Sequence, residues 1–270
     1  MPGWLTTMTL DGPISLWHFL GDSVIYRNLE PVDHRLPGLA TVAERLGLRP
    51  DRIPRKTELD YARVMAVLAT TASSVFTGKQ ELSRVVAVGD TRLNDVTAFH
   101  NLCQVTGWAG RAIICSEKAA EPRCLDEAEP GVFLANRWQA IGDFLEILKD
   151  QAFPVDESTV AIIDLDKTAI GARGRNDHVI DQARVEGVRA TAATLLGSAY
   201  VEESFLRAYR ELNQPPYHPF TADNQDYLVY ICLMIAGDLY DLDEVVAAVR
   251  NGRMASFEQF IGEVHARTAE

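Results

Sequence analysis

The stretch Val160-Ala161-Ile162-Ile163-Asp164-Leu165-Asp166-Lys167-Thr168 runs four apolar residues straight into two carboxylates. The apolar run is long enough for a buried strand, and the acids come where such a strand would end. A second stretch, Val85-Val86-Ala87-Val88-Gly89-Asp90-Thr91-Arg92-Leu93-Asn94-Asp95, has the same shape. In a parallel sheet ligands collect at the carboxyl ends of strands, where the loops diverge and leave a crevice. Gathering Asp164, Asp166, Asp90 and Asp95 at one such edge is costly unless a cation offsets their repulsion. Oxygen-only ligands suit Mg²⁺, which keeps several waters and takes further ligands from phosphate. The two motifs therefore predict a magnesium site for phosphate chemistry.

Working outward, short apolar strands are predicted at 84–88, 111–115, 131–134 and from 160 onward. Amphipathic helices are predicted from Leu36, at 57–72, near 95–106 and at 138–148. This alternation predicts an α/β fold, a Rossmann-like parallel sheet covered on both faces. Beyond Asp177 the character changes to helices at 179–196, 201–212, 227–235, 243–249 and 257–266. Residues 213–226 form the main loop of this part. The expected organisation is an α/β core over residues 1–172 and an all-helical module over 173–270, part of whose last helix returns to the core.

Four apolar residues followed by Asp164-x-Asp166-x-Thr168 resemble the nucleophile motif of the haloacid dehalogenase (HAD) superfamily. Gly89-Asp90 with Asp95 downstream resembles that superfamily's last motif. The resemblance implies that Asp164 is a nucleophile forming an aspartyl phosphate, and that Asp166 is the general acid and then the general base. It implies Mg²⁺ bound by the Asp164 carboxylate, the backbone carbonyl of Asp166, and Asp90 with or without Asp95. Thr168 would orient the loop through its hydroxyl. The substrate would be a small phosphorylated metabolite, since relatives that cleave carbon–halogen bonds lack the acid corresponding to Asp166. In the alternative register Asp166-Lys167-Thr168 would match ion-pumping ATPases; Ala169-Ile170 stands where those have Gly-Thr.

The order of the motifs is reversed relative to that superfamily. Reading 155–270 and then 1–150 restores it, which implies a circular permutation. The linker 149–159 can span up to roughly 35 Å when extended, enough to bring the chain from the last core helix back to a central strand. A core completed by a second copy of the chain, as a homodimer, is the other arrangement considered. The helical module follows Asp164 where the superfamily places its cap. Gly171-Ala172-Arg173-Gly174-Arg175 is a basic, flexible hinge candidate from which Arg173 or Arg175 would touch a phosphate. Lys56 is the candidate for the phosphate-binding lysine, although it lies far upstream of Asp90. For the Ser or Thr that should end another strand, Ser15, Thr9 and Thr77 all remain open.

With 270 residues, 47% of them hydrophobic, the chain can bury a full core, and its net charge of −12 argues against nucleic-acid or anionic-membrane partners. The four cysteines form no Cys-x-x-Cys pair and read as reduced thiols. The N-terminus lacks the pattern of a signal peptide, and the longest apolar run falls short of the roughly 20 residues that span a bilayer; a cytoplasmic protein is expected. A non-catalytic binding protein on the same scaffold and a phosphotransferase are the competing functional expectations.

Overall fold

The computed structural model describes residues 24–78, 81–197, 200–222 and 224–268. The chain divides into two compact units, Met1–Ile180 and Asp181–Glu270.

Alternation along the strands organises the first unit. In β2 (Ala109–Cys115), Ala112 and Ile114 pack on one face, while Ile113 and Cys115 pack on the other. The first face is covered by α1 (Leu39–Leu46), α2 (Leu59–Thr77) and α3 (Thr97–Thr106), through Val42, Met65, Leu68, Phe99 and Leu102. The second is covered by α4 (Ala140–Asp150), whose Phe144 and Leu148 meet Phe133 and Ile113. Each of these fully buried side chains contributes about 1.5–3 kcal/mol by leaving water, so a sheet clothed on both faces is the stable outcome of such apolar strands. α2 stops at Gly78, which takes a left-handed conformation with φ 71°.

The sheet has five strands in the order β3-β4-β2-β1-β5. β1 (Arg84–Gly89) pairs in parallel with β2 and with β5 (Thr159–Ile163), and β2 pairs in parallel with β4 (Val132–Ala135). The expected all-parallel sheet is corrected to a mixed one, because β3 (Leu125–Glu129) runs antiparallel to β4. Its sequence, LDEAE, is too acidic to read as a strand, and it forms only because a tight turn at Pro130-Gly131 folds it back on the edge. The strand at 160, expected in a central position, is bordered by β1. Among the described residues β5 has β1 as its one neighbour and closes the sheet's end, leaving Ile163 51% exposed.

The two acidic stretches leave their strands through wide π-helical turns, Arg92–Val96 and Leu165–Ile170. In the second, the amides of Ala169 and Gly171 donate to the carbonyls of Asp164 and Asp166, five residues back, at 3.3 and 2.8 Å. Such turns are rare and occur frequently at functional sites.

The second unit is helical throughout its described residues: α5 (His178–Leu196), α6 (Glu202–Leu212), α7 (His218–Thr221), α8 (Gln225–Ala236), α9 (Leu242–Arg250) and α10 (Phe257–Thr268). Phe205, Leu212, Phe220, Ile231 and Phe260 form its core. Two helix starts have side-chain caps: Asn224 accepts from the Asp226 amide, and Asp241 accepts from the amides of Asp243 and Glu244. The loop expected at 213–226 contains the short helix α7, preceded by a tight turn at Pro215–Tyr217. Among the described residues no helix is long and apolar enough to cross a membrane.

Candidate functional site

The parallel register of β1 and β5 sets Arg84 beside Thr159 and Val88 beside Ile163. The next residues, Gly89 and Asp164, therefore leave the sheet side by side, and the Asp164 amide donates to the Val88 carbonyl at 2.9 Å. Asp90 and Asp164 thus occupy neighbouring strand tips at one edge.

Lys56 reaches the same edge from the turn that precedes α2. Its Nζ donates to Asp164 Oδ1 at 2.5 Å and to Asp95 Oδ1 at 2.9 Å. Burial works against the charge on Lys56, but Asp95 and then Asp164 outweigh it and hold its pKa above the usual lysine range. The ammonium stays charged at any physiological pH.

Asp95 has a second duty. Its Oδ2 accepts hydrogen bonds from the Asp90 amide at 3.1 Å, the Thr91 amide at 2.9 Å and the Thr91 hydroxyl at 3.0 Å. Burial would raise its pKa, yet Lys56 and the Thr91 donors together hold it below the usual carboxylate range. Gly89 makes this arrangement sterically feasible, because a Cβ there would fall 2.6 Å from the Cβ of Asp95. The glycine of the Gly-Asp pair is thus needed for close approach, a role that sequence reading did not assign to it.

Asp90 is nearly enclosed, with 7% of its side chain exposed, and its Oδ2 accepts from Arg173 Nε. Burial, with the negative charges of Asp95 and Asp164 adding to it, pushes its carboxyl up to about 6 despite the opposing Arg173. Arg173 belongs to the stretch expected to be a flexible hinge, and the structure corrects that expectation. The Arg173 amide donates to the Lys167 carbonyl at 2.8 Å, and its own carbonyl accepts from the Glu117 amide at 2.9 Å and from Trp138 Nε1 at 3.1 Å. The following Gly174 has φ +76° and lies so close to the Glu117 carbonyl that a side chain would collide with it. Arg175 is drawn to Glu117 at 3.2 Å rather than to any of the strand-tip acids.

The remaining predicted residues fall as follows. Asp166 sits in the wide turn after β5 and, with Asp164, Asp95, Lys56 and Tyr61, lines a cavity of about 1040 Å³ that continues along β5 between apolar side chains of α2 and α3. Thr168 is buried, but its hydroxyl has no hydrogen-bond partner among the described residues, so the loop-orienting bond expected of it is not made. Thr77 lies in the last turn of α2 and donates to the Ser73 carbonyl at 2.7 Å; it ends no strand. Ser15 and Thr9 lie outside the described residues.

Whether these residues suit a divalent cation is a matter of donor chemistry. Among the described residues no group of three or more His, Cys, Asp or Glu side chains is arranged to hold a metal. Neither acidic turn contains histidine or cysteine, and two adjacent carboxylates together with a backbone carbonyl are the partial, oxygen-only ligand set that Mg²⁺ completes with water and phosphate. Mg²⁺ would therefore have to complete its shell largely from water and phosphate, and a cation there would meet Arg173 already on Asp90.

Comparison with protein-family models, with curated proteins and with solved structures gives no match. The fold is α/β with a mostly parallel five-stranded sheet, and a Rossmann-like core is compatible with it.

Proposed function

We propose that this chain is a Mg²⁺-dependent phosphohydrolase of the haloacid dehalogenase type, with its motifs circularly permuted, acting on a small phosphorylated metabolite through an aspartyl-phosphate intermediate. The observation that carries this reading is the ammonium of Lys56 shared between Asp164 and Asp95 at the carboxyl edge of β1 and β5. A carboxylate can attack a phosphoryl group only where positive charge offsets their repulsion, and a lysine already bonded to that carboxylate is placed to do so.

In this mechanism an Asp164 carboxylate oxygen attacks phosphorus, and the bond from phosphorus to the ester oxygen breaks. Asp166, two residues on in the same turn, gives its proton to the leaving alkoxide. Asp166 then takes a proton from water, whose oxygen attacks the acyl phosphate and releases inorganic phosphate and free Asp164. Lys56 steadies the charge on Asp164 and on the phosphoryl oxygens, and Asp95 holds Lys56 and the Asp90 backbone in place. Asp164, the Asp166 carbonyl and Asp90 would hold Mg²⁺, which supplies Lewis-acid neutralisation of the phosphoryl charge when bound.

The test is hydrolysis of an aryl phosphate with Mg²⁺ by the wild-type chain and by Asp164→Asn. The expected result is turnover by the wild type and its loss in a variant with an unchanged circular dichroism spectrum. A wild-type rate no higher than the variant's would overturn the reading. One observation favours a second reading, a non-catalytic binding protein: Asp164 and Asp90 are each engaged in an ion pair, with Lys56 and Arg173 respectively. Phosphate binding without turnover across a broad substrate panel would support that alternative, and transfer to an acceptor other than water would make the chain a phosphotransferase.

A further inference from the structure

We infer that the cavity running from the Lys56–Asp164 pair along β5 receives an extended apolar group, so that the substrate is the phosphate monoester of a long-chain alkyl alcohol rather than of a sugar. The phosphate end of this inference rests on the phosphohydrolase reading above; the apolar end stands on the cavity alone and requires no metal.

The distribution of charge along the cavity supplies the first argument. Among the described residues, none of the side chains that α2, α3, β1 and β5 contribute to its lining is charged. Lys56, Asp95, Asp164 and Asp166 line it at the strand tips, and Asp156 and Glu157 precede the other end of β5. Between these ends the wall is formed by Met65, Leu68 and Ala72 of α2, Ala98 and Phe99 of α3, and Val160 and Ile162 of β5. Few hydroxyls interrupt it. Thr77 bonds the Ser73 carbonyl, Ser73 Oγ is closed off from solvent, and Tyr61 stands at the charged end, within the field of Lys56, Asp164 and Asp95. A sugar pressed against such a wall would give up hydrogen bonds to water and regain few, whereas an alkyl chain has none to lose.

Size and burial supply the second argument. The cavity holds about 1040 Å³, while ligand pockets run from about 300 to 1,000 Å³. It is lined by every residue of β5, a strand whose length is about 16 Å. Ala87, Val160 and Ile162 lie on the sheet face that α2 and α3 cover, yet they are only half-buried, because the cavity runs between them and the helices. Close-packed interiors leave few voids larger than a water molecule, so a space of this size and shape is suited to an elongated apolar ligand. A chain lying along β5 presents its head to Lys56 and Asp164.

The apolar end is tested without metal or phosphate. 1-Octanol and 1-butanol are titrated by calorimetry into wild type, Ala72→Phe and Ala98→Phe, whose rings enter the cavity from different helices. Thermal melts establish that each variant is folded, and the two positions keep the test open should one variant not fold. Wild type is expected to bind 1-octanol about a hundredfold more tightly than 1-butanol, since each buried methylene tightens binding by about threefold to fourfold. Each phenylalanine is expected to weaken 1-octanol by about tenfold. Equal affinity for the two alcohols, or 1-octanol binding unchanged in the folded variants, overturns the inference. A dimer that 1-octanol dissociates in sedimentation would assign the cavity to a second copy of the chain and overturn it too. The phosphate end is read from kcat/KM for ethyl, butyl and octyl phosphate with Mg²⁺, which is expected to rise with chain length in wild type and to flatten in the variants. Aryl phosphate turnover with a flat wild-type profile would overturn the inference and leave the phosphohydrolase reading intact. Tight 1-octanol binding with no turnover of any phosphate ester would remove the phosphohydrolase reading and leave the apolar site standing.

Discussion

Lys56 Nζ lies 2.5 Å from Asp164 Oδ1, although 108 residues separate them in the chain. No local preference explains that contact; it exists because α2 packs on the face of the sheet beside which β5 ends. Lys56→Met, which keeps much of the length and removes the charge, is expected to leave Asp95 and Asp164 facing each other unneutralised. Stability should fall by about 1–3 kcal/mol and aryl phosphate turnover by about two orders of magnitude. Because the pKa of Lys56 is raised, its folded-state contribution is complete below 10.5 and is lost only above it. The wild-type minus variant difference in urea midpoint should therefore show no step from Lys56 between about pH 6 and 9.

Asp90 should behave in the opposite sense at low pH. Its carboxyl is raised to about 6 from 3.8, so the folded chain holds that proton more tightly than the unfolded chain. Stability from the protonated form is complete below 3.8 and declines as pH rises through 6, by on the order of 3 kcal/mol. Metal-free protein and Asp90→Asn compared by thermal melts from pH 4 to 7 should show this decline in the wild type and its absence in the variant. Mg²⁺ uptake, which needs the ionised acid, should weaken as pH falls below about 6.

Gly89→Ala introduces a Cβ 2.6 Å from the Cβ of Asp95. The carboxylate must shift, and its bonds to the Asp90 and Thr91 amides must lengthen or break. The expected cost is about 1–3 kcal/mol in denaturant unfolding, with a larger proportional loss of turnover than of stability.

Gly174→Ala meets backbone rather than a flexible side chain, at a φ of +76° that alanine adopts poorly. A loss of about 1–3 kcal/mol is expected. Because the strain falls on the segment that holds Arg173 against Asp90, the variant should also lose aryl phosphate turnover, measured with Mg²⁺.

Much of this was legible from residue order. The apolar runs of β1, β2, β4 and β5 gave themselves away by lying between helical patterns, and Lys56 was singled out by its position before α2. β3 was hidden, since its acidic, half-exposed residues pair only because the turn at Gly131 returns the chain to β4. Asp95 reads in sequence as one more carboxylate, and only in three dimensions does it emerge as the acceptor for the Asp90 and Thr91 amides. Arg173 was singled out as a phosphate contact, but its pairing with Asp90 was out of reach: its partners Asp90, Glu117, Trp138 and Lys167 come from separate segments, and the glycines on either side suggested slack where the backbone makes hydrogen bonds.

The pairing of β5 with β1 has a dynamic consequence. The ladder to β1, the packing of Val160 and Ile162 against the core, and the grip of Arg84 on Thr159 and Asp156, at 3.2 and 2.7 Å, all help to fasten β5. Fraying of the seam between β5 and β1 would carry Asp164 away from Lys56 and Asp90 in one motion. The amide of Asp164, bonded across the seam to Val88, is thus a reporter whose hydrogen exchange would time the disassembly of the whole acidic cluster.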